Sequence, residues 1–360
     1  MKVCPHCQSH QIQLYGFSNN VACLNDLRRQ RFRCRECRKI FGANFHNLNF
    51  NQRHSDKALN SKIFNFFIHG MSNRQVARLI DVSEECVRRR LARMAQRALS
   101  FHCEMMRTTK ISEAICFDGL ENFAFSQYDP NHINHAIGRD SLFIYDFGFA
   151  PLNRKGRMSI WQKERLKQIE QEFGRYDPGA IRKNTVKVFE RLHAKSAGSK
   201  LEILSDEHFQ YKRAVNILKK LEIDQTTISS KACRNFQNIL FSVNHSDLLV
   251  RQQLAVFARE TISFAKTAGR MCQKYALFMV YKNYMAPQFR KKHVRRPSAH
   301  VKSPAMELGL CEKVMRFKEV FGRRSLERDK LQIPLEWQHF YDGTVPRECE
   351  RSKKHKKRAA

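Results

Sequence analysis

The chain has 360 residues, with 66 Lys plus Arg against 34 Asp plus Glu and a formal net charge of +32. A hydrophobic content of 42% excludes wholesale disorder, and the length suits two or three domains of roughly 100–200 residues. No apolar run approaches the ~20 residues of a membrane span, and so positive a field favours polyanions, above all nucleic acid.

The first 50 residues carry two CxxC knuckles, CPHC with Cys4 and Cys7 and CREC with Cys34 and Cys37. Each knuckle offers two thiolates from a tight turn, and four sulfurs complete a closed tetrahedral zinc site. The segment between them supplies short strands and is too small to hold a core unaided, so zinc contributes much of its folding free energy. This is the zinc-ribbon pattern. Cys23, His6 and His10 are expected bystanders, because four cysteines fill the site. The run RRQRFRCRECRK at 28–39 adds charge suited to phosphate contact.

Residues 51–109 read as helical. SDKALNSKIFNFFIHG forms an amphipathic helix closed by Gly70. Ser72 caps NRQVARLI, with Gln75 placed for a capping box. Asp81 and Val82 turn the chain, and Ser83 caps EECVRRRLARMAQRAL. Helix, tight turn and capped second helix make a helix-turn-helix pattern. Val87, Leu91 and Met94 face inward on that second helix, and Arg88, Arg89, Arg90 and Arg93 are candidates for DNA contact. The plainer reading is a helical linker with a solvated basic face.

Residues 110–286 read as α/β. AICFDGLENFAF and SLFIYDFGFAP are strands expected to pair with each other. A basic helical insert follows at about 153–195. KLEILSD is a strand, FQYKRAVNILKKL a helix and TTISSKA a short strand, and a long final helix is expected from Asp247. That order suits a ribonuclease-H-like sheet with helices on its faces. Residues 287–360 are a basic C-terminal region, ending in a tail RSKKHKKRAA expected to be disordered and to touch phosphates.

Three acids stand at the ends of apolar segments. Asp118 ends AICFD, Asp206 ends LEILSD, and Asp247 lies in NHSDLLVRQQLAVFARE. Two strand-end carboxylates and one helical carboxylate can hold a pair of Mg2+ ions about 3.5–4 Å apart for phosphodiester chemistry. Each acid also has a plainer role. Asp118 suits a turn before Gly119, Asp206 an N-cap, and Asp247 a surface pair with Arg251 one turn on. Glu260 and Glu307 are the other candidates for the third ligand. In an unbroken helix, Glu260 and Asp247 could not both reach one site.

The order CPHC…CREC, helix-turn-helix and acid-bearing core resembles the bacterial insertion-sequence transposases of the DDE/DDD type. VNHSDLLVRQQLAVFARETISFAKT resembles their final catalytic helix, and KSPAMELGL a motif found just after their core. The resemblance spans residues 4 to about 312. It implies a DNA transposase that binds terminal inverted repeats of an insertion element. It would hydrolyse a phosphodiester at the element end and transfer the freed 3′-hydroxyl to target DNA. It also implies a homo-oligomer on double-stranded DNA, no membrane association, and a cytoplasmic, nucleoid-associated location. The chain departs from many relatives in one respect: their third acid is Glu, and one turn before Asp247 stands Asn244. The readings left beside a transposase are a decayed copy, a DNA-binding regulator that keeps the core as a scaffold, and a zinc-ribbon RNA-binding protein.

Overall fold

The computed structural model describes residues 4, 7, 9–18, 29–42, 57–198, 200–259, 261–288, 302–322, 331 and 333–351. His6, Cys23, Glu260, most of the basic linker and the tail after Arg351 lie outside the described residues.

The N-terminal unit is a three-stranded antiparallel sheet of β1 (Ile12–Ser18), β2 (Arg29–Cys34) and β3 (Ile40–Gly42). Its core is small: Cys4, Phe32, Cys34 and Phe41 are buried, with Phe32 and Phe41 stacked at 5.8 Å. These residues form a cluster separate from the main core.

Three helices follow, α1 (Lys57–Ile68), α2 (Asn73–Leu79) and α3 (Glu84–Met105). Their boundaries follow local chemistry. Ser72 and Gln75 form the capping box of α2, and the Ser83 side chain accepts from the Cys86 amide to cap α3. Gly70 and Asp81 turn the chain with φ of 96° and 51°. Val87, Leu91 and Met94 are buried as their spacing predicts. The far half of α3 enters the main core. Its buried Arg97 donates to the Val320 carbonyl, and Gln96 donates to the Tyr341 carbonyl.

The main sheet has five strands: β4 (Ile115–Phe123), β5 (Pro130–Gly138), β6 (Ile144–Pro151), β7 (Lys200–Asp206) and β8 (Glu222–Ile228). Their order is β6-β5-β4-β7-β8. β4, β5 and β6 form an antiparallel meander, and β4, β7 and β8 run parallel. The parallel pairs need crossover helices, supplied by α5 (Ala180–His193) and α6 (Phe209–Ile217). This arrangement of five strands with flanking helices resembles the ribonuclease-H-like fold.

Two expectations require correction. The strand starting at Ile144 does not pair with β4, because β5 lies between them. The sequence of β5, PNHINHAIG, is rich in Asn and His, residues that carry little apolar signal. Yet Asn131, His132, Asn134 and His135 are all buried. The long final helix is also two helices, α7 (Phe241–Gln253) and α8 (Ala268–Val280). Arg251 holds the intervening loop by donating to the carbonyls of Phe257 and Glu121, and the Thr267 hydroxyl caps α8. α8 runs on into a π-helix at Tyr281–Met285.

The basic segment at 153–195 contains two unlike helices. α4 (Ile160–Phe173) buries none of its residues, whereas α5 buries Ile181, Asn184, Thr185, Val188, Phe189 and Leu192 against the sheet. The C-terminal region also contributes to the core through α9 (Pro304–Glu307), α10 (Phe317–Phe321) and α11 (Leu335–Asp342). Trp337 of α11 is 2% exposed and donates from its indole to the Phe147 carbonyl at 2.9 Å. Among the described residues no helix is long and apolar enough to cross a membrane.

Candidate metal and catalytic centre

Cys4, Cys7, Cys34 and Cys37 converge, with all four sulfurs within 4.8 Å of one another. The knuckle turns place them: the Cys4 amide donates to the Ser9 carbonyl, and the Cys34 amide to Lys39. Cys4 Sγ lies 3.5 Å from Cys37 Sγ, and Cys7 Sγ lies 3.5 Å from Cys34 Sγ. A Zn–S bond of ~2.3 Å sets the edge of a sulfur tetrahedron at about 3.8 Å. Four sulfurs at this spacing can chelate a metal ion. The separations are far longer than the ~2.05 Å of a disulfide, and all four thiols are free.

The acids converge at the centre of the main sheet. Asp118 sits inside β4 rather than at its end, since β4 continues to Phe123 against β5. Its parallel pairing to β7 stops at Phe117 opposite Ser205, so the next residue on each strand is an acid, Asp118 and Asp206. Asp206 is the last residue of β7, as expected. Asp118 faces His135 across β4 and β5, and direct cross-strand neighbours share one face of a sheet. α7 packs over β4 and β5 and carries Asp247 in its middle.

His135 links the two layers. Its Nε2 lies 3.0 Å from Asp247 Oδ1, and its Nδ1 lies 2.6 Å from the Tyr275 hydroxyl on α8. The charge of the nearby carboxylate favours the tautomer with its ring proton on Nε2, which leaves Nδ1 to accept from Tyr275. The Asp247 contact is close but not aligned as a hydrogen bond, which leaves the buried Oδ1 with unused acceptor capacity. Asp118 Oδ1 accepts from the Gly119 amide at 2.7 Å, and Asp206 Oδ1 from the His208 amide at 3.0 Å.

Burial pushes the Asp118 carboxyl up to about 6. The Gly119 amide opposes that rise, the charges of Asp206 and Asp247 add to it, and His135 opposes it. Three carboxylates therefore feel one another at this point of the sheet. Among the described residues, the four cysteines alone bring three or more potential ligand atoms within 4.8 Å, so the acids meet at longer range. Clustered, partly desolvated carboxylates with a spare buried acceptor suit a hard divalent cation, which takes oxygen ligands and retains waters.

The remaining candidates lie elsewhere. Glu307 ends α9 and pairs with Lys302 at 3.6 Å. Asn244 lies one turn before Asp247 on α7. Arg88 and Arg89 are exposed on α3 and pair with Glu85. Arg90 is buried and donates to Asn60 Oδ1 at 2.7 Å, fastening α3 to α1, and Arg93 is half-buried.

His135 and Tyr275 were missed by sequence reasoning, as were His132 and Tyr211. His132 Nε2 lies 3.1 Å from the Tyr211 hydroxyl, and His132 stands opposite Glu121 in register. Its ring occupies the space a side chain at Gly119 would need, since a Cβ there would fall 1.8 Å from Nε2. The available signal was the pair of histidines in NHINH, beside an acid-bearing strand. No protein-family model matches the chain, and no curated protein matches it.

Proposed function

We propose that this chain is a DNA transposase that cuts and joins DNA at Asp118, Asp206 and Asp247. The observation that carries the reading is the acid cluster itself: a chain of net charge +32 gathers three carboxylates on one face of a ribonuclease-H-like sheet. Like charges placed together are costly without a cation, and a polyanionic substrate needs that cation most. Mg2+, held by the three acids, would supply Lewis-acid stabilisation of phosphate oxygens and a more acidic water. The chain's own residues set the stage for this. Gly119 and His208 amides orient Asp118 and Asp206, while His135 steadies Asp247 from below.

The four-cysteine cluster is read as a structural zinc site that holds the N-terminal sheet. α2 and α3 form the helix-turn-helix, with Arg88 and Arg89 its exposed cations and Arg93 beside them. Arg90 acts there as a brace between helices. The substrate is double-stranded DNA at the ends of the element and at its target.

The test is cleavage of a supercoiled plasmid carrying the DNA that flanks this gene, with Mg2+ or Mn2+. Asp118→Ala and Asp206→Ala should abolish nicking and leave DNA binding intact. Unchanged cleavage in both variants would sink the reading. Binding without any cleavage by the parent protein would identify a DNA-binding regulator on a silent core.

A further inference from the structure

We propose that this chain binds a small organic anion, one with an apolar body and an acidic head, in a cavity between the ends of α3 and α5. The proposal goes beyond the reaction and does not depend on it.

The cavity has a volume of about 470 Å³, within the ~300–1,000 Å³ usual for small-molecule sites. It opens where β4 and β7 begin. The links that lead into those two strands are pinned together: the Ile111 amide donates to the Lys195 carbonyl and the Ala197 amide to the Ile111 carbonyl, both at 2.8 Å. Asp118 and Asp206 lie further along the strands and neither lines the cavity. The acid cluster is therefore a separate place.

The inner wall is apolar. Met106 comes from the end of α3, Leu192 from the last turn of α5 and Trp337 from α11, and all three are buried.

The mouth is cationic. Arg107 and Lys110 are exposed there, and Lys195 is half-buried. Asp146 is the one acid among the described lining residues, and Arg191 already matches it, with Nε 2.7 Å from Oδ2 and Nη2 3.0 Å from Oδ1. The carbonyl ends of α3 and α5 add roughly half a negative charge each, and the Met106 carbonyl accepts from Lys195 Nζ at 2.7 Å. Three cations thus face about one unit of negative charge. An ammonium has three N–H donors, so Lys195 keeps two beyond its bond to Met106. Burial lowers the Lys195 amine, Cys103 and Asp146 oppose the fall, and the charge of Lys110 adds to it. Two ammonium groups that repel each other at the rim of an apolar cavity suit an acidic head, with the body against Met106 and Trp337. A duplex is too wide for such a space, and a small molecule fits it.

The experiment is a fluorescence titration of full-length Trp161→Phe with anilinonaphthalene sulfonate, which joins an apolar body to an acidic head. The chain has two tryptophans, and Trp161 is 67% exposed on α4 and does not line the cavity. The substitution leaves Trp337, in the cavity wall, as the sole tryptophan donor of energy to the dye. Transfer should saturate at one dye per chain. Adding Lys110→Glu and Lys195→Met together should weaken binding at least about tenfold, as loss of hydrogen bonds to a charged group predicts. Phenylnaphthylamine, which lacks the sulfonate, should also bind at least about tenfold more weakly. Circular dichroism confirms that each variant is folded; if Lys195→Met is not, Lys110→Glu alone decides, with a several-fold loss expected. Transfer that never saturates overturns the proposal, as does dye binding unchanged by the substitutions. Equal binding of phenylnaphthylamine would make the cavity merely apolar, and displacement of the dye by equimolar inorganic sulfate would make it a site for bare anions. Either result would also overturn it.

Discussion

Tyr275→Phe tests how the third acid is held. The Tyr275 hydroxyl donates to His135 Nδ1 at 2.6 Å, and both side chains are 0% exposed. Its removal strands a buried acceptor, at a cost of about 1–3 kcal/mol. The ring has no good escape. If its proton moves to Nδ1, the bare Nε2 lone pair faces the Asp247 carboxylate at 3.0 Å. Either outcome loosens Asp247. Each 1.4 kcal/mol is about tenfold in rate or affinity, so cleavage at subsaturating Mg2+ should fall roughly 10–100-fold, the range typical of groups that orient metal ligands. The assay is plasmid nicking across a Mg2+ titration, with Mg2+ affinity measured separately by calorimetry. A thermal melt shows that the variant is folded at the assay temperature. Wild-type metal dependence in Tyr275→Phe, alongside an inactive Asp247→Asn, would refute the reasoning and reduce Tyr275 and His135 to packing.

Three further outcomes are expected. Cys34→Ser should lose bound zinc by atomic absorption and leave the helical circular dichroism intact, because the ribbon core and the main core are separate clusters. Gly119→Ala should displace His132 from Tyr211 and destabilise the fold by about 1–3 kcal/mol, and adding His132→Ala should recover much of that loss in urea melts. Burial holds the His102 ring down at about 4, against a hydrogen bond to the Tyr145 carbonyl that favours its charged form. The unfolded ring titrates near 6.5. Between those values the unfolded state takes up the proton and the folded state does not. Stability is therefore full above pH ~6.5 and falls by about 3 kcal/mol toward pH ~4. Urea midpoints across that window should flatten in His102→Gln, and parallel curves would assign the acid loss to other groups.

What could be read in the sequence followed the locality of its cause. The two CxxC knuckles and the Ser72–Gln75 capping box are each marked within a few residues; the capping box forms as expected, and the knuckles meet although 27 to 33 residues separate the sulfurs that pair. The ends of β7 and the inward face of α3 follow from short apolar patterns. β5 was illegible because its buried residues are polar and find their partners far along the chain: Asn134 on Asn184, His135 on Tyr275. The break after Gln253 was hidden for a related reason, since Arg251 ties the loop carbonyl of Phe257 to the distant carbonyl of Glu121 on β4. The place of Asp118 inside its strand was set by β5, so missing one element displaced the other. Tyr275 carried no local mark at all, because an aromatic on a buried helix looks like any core residue until its hydroxyl is placed.

The 22 residues of α3 have a consequence for motion. Its first turns belong with α1 and α2, and its last turns lie in the sheet's own core, where Ala98, Leu99 and Phe101 are fully enclosed. Among the described residues, no glycine or proline interrupts it. Amides along its second half should therefore exchange with solvent only when the whole core opens, on the slow timescale of global unfolding. Its first turns can fray, but they cannot swivel. Whatever lies against the exposed arginines near its start is held at a fixed bearing to the acids in β4, and changing that bearing means melting the helix.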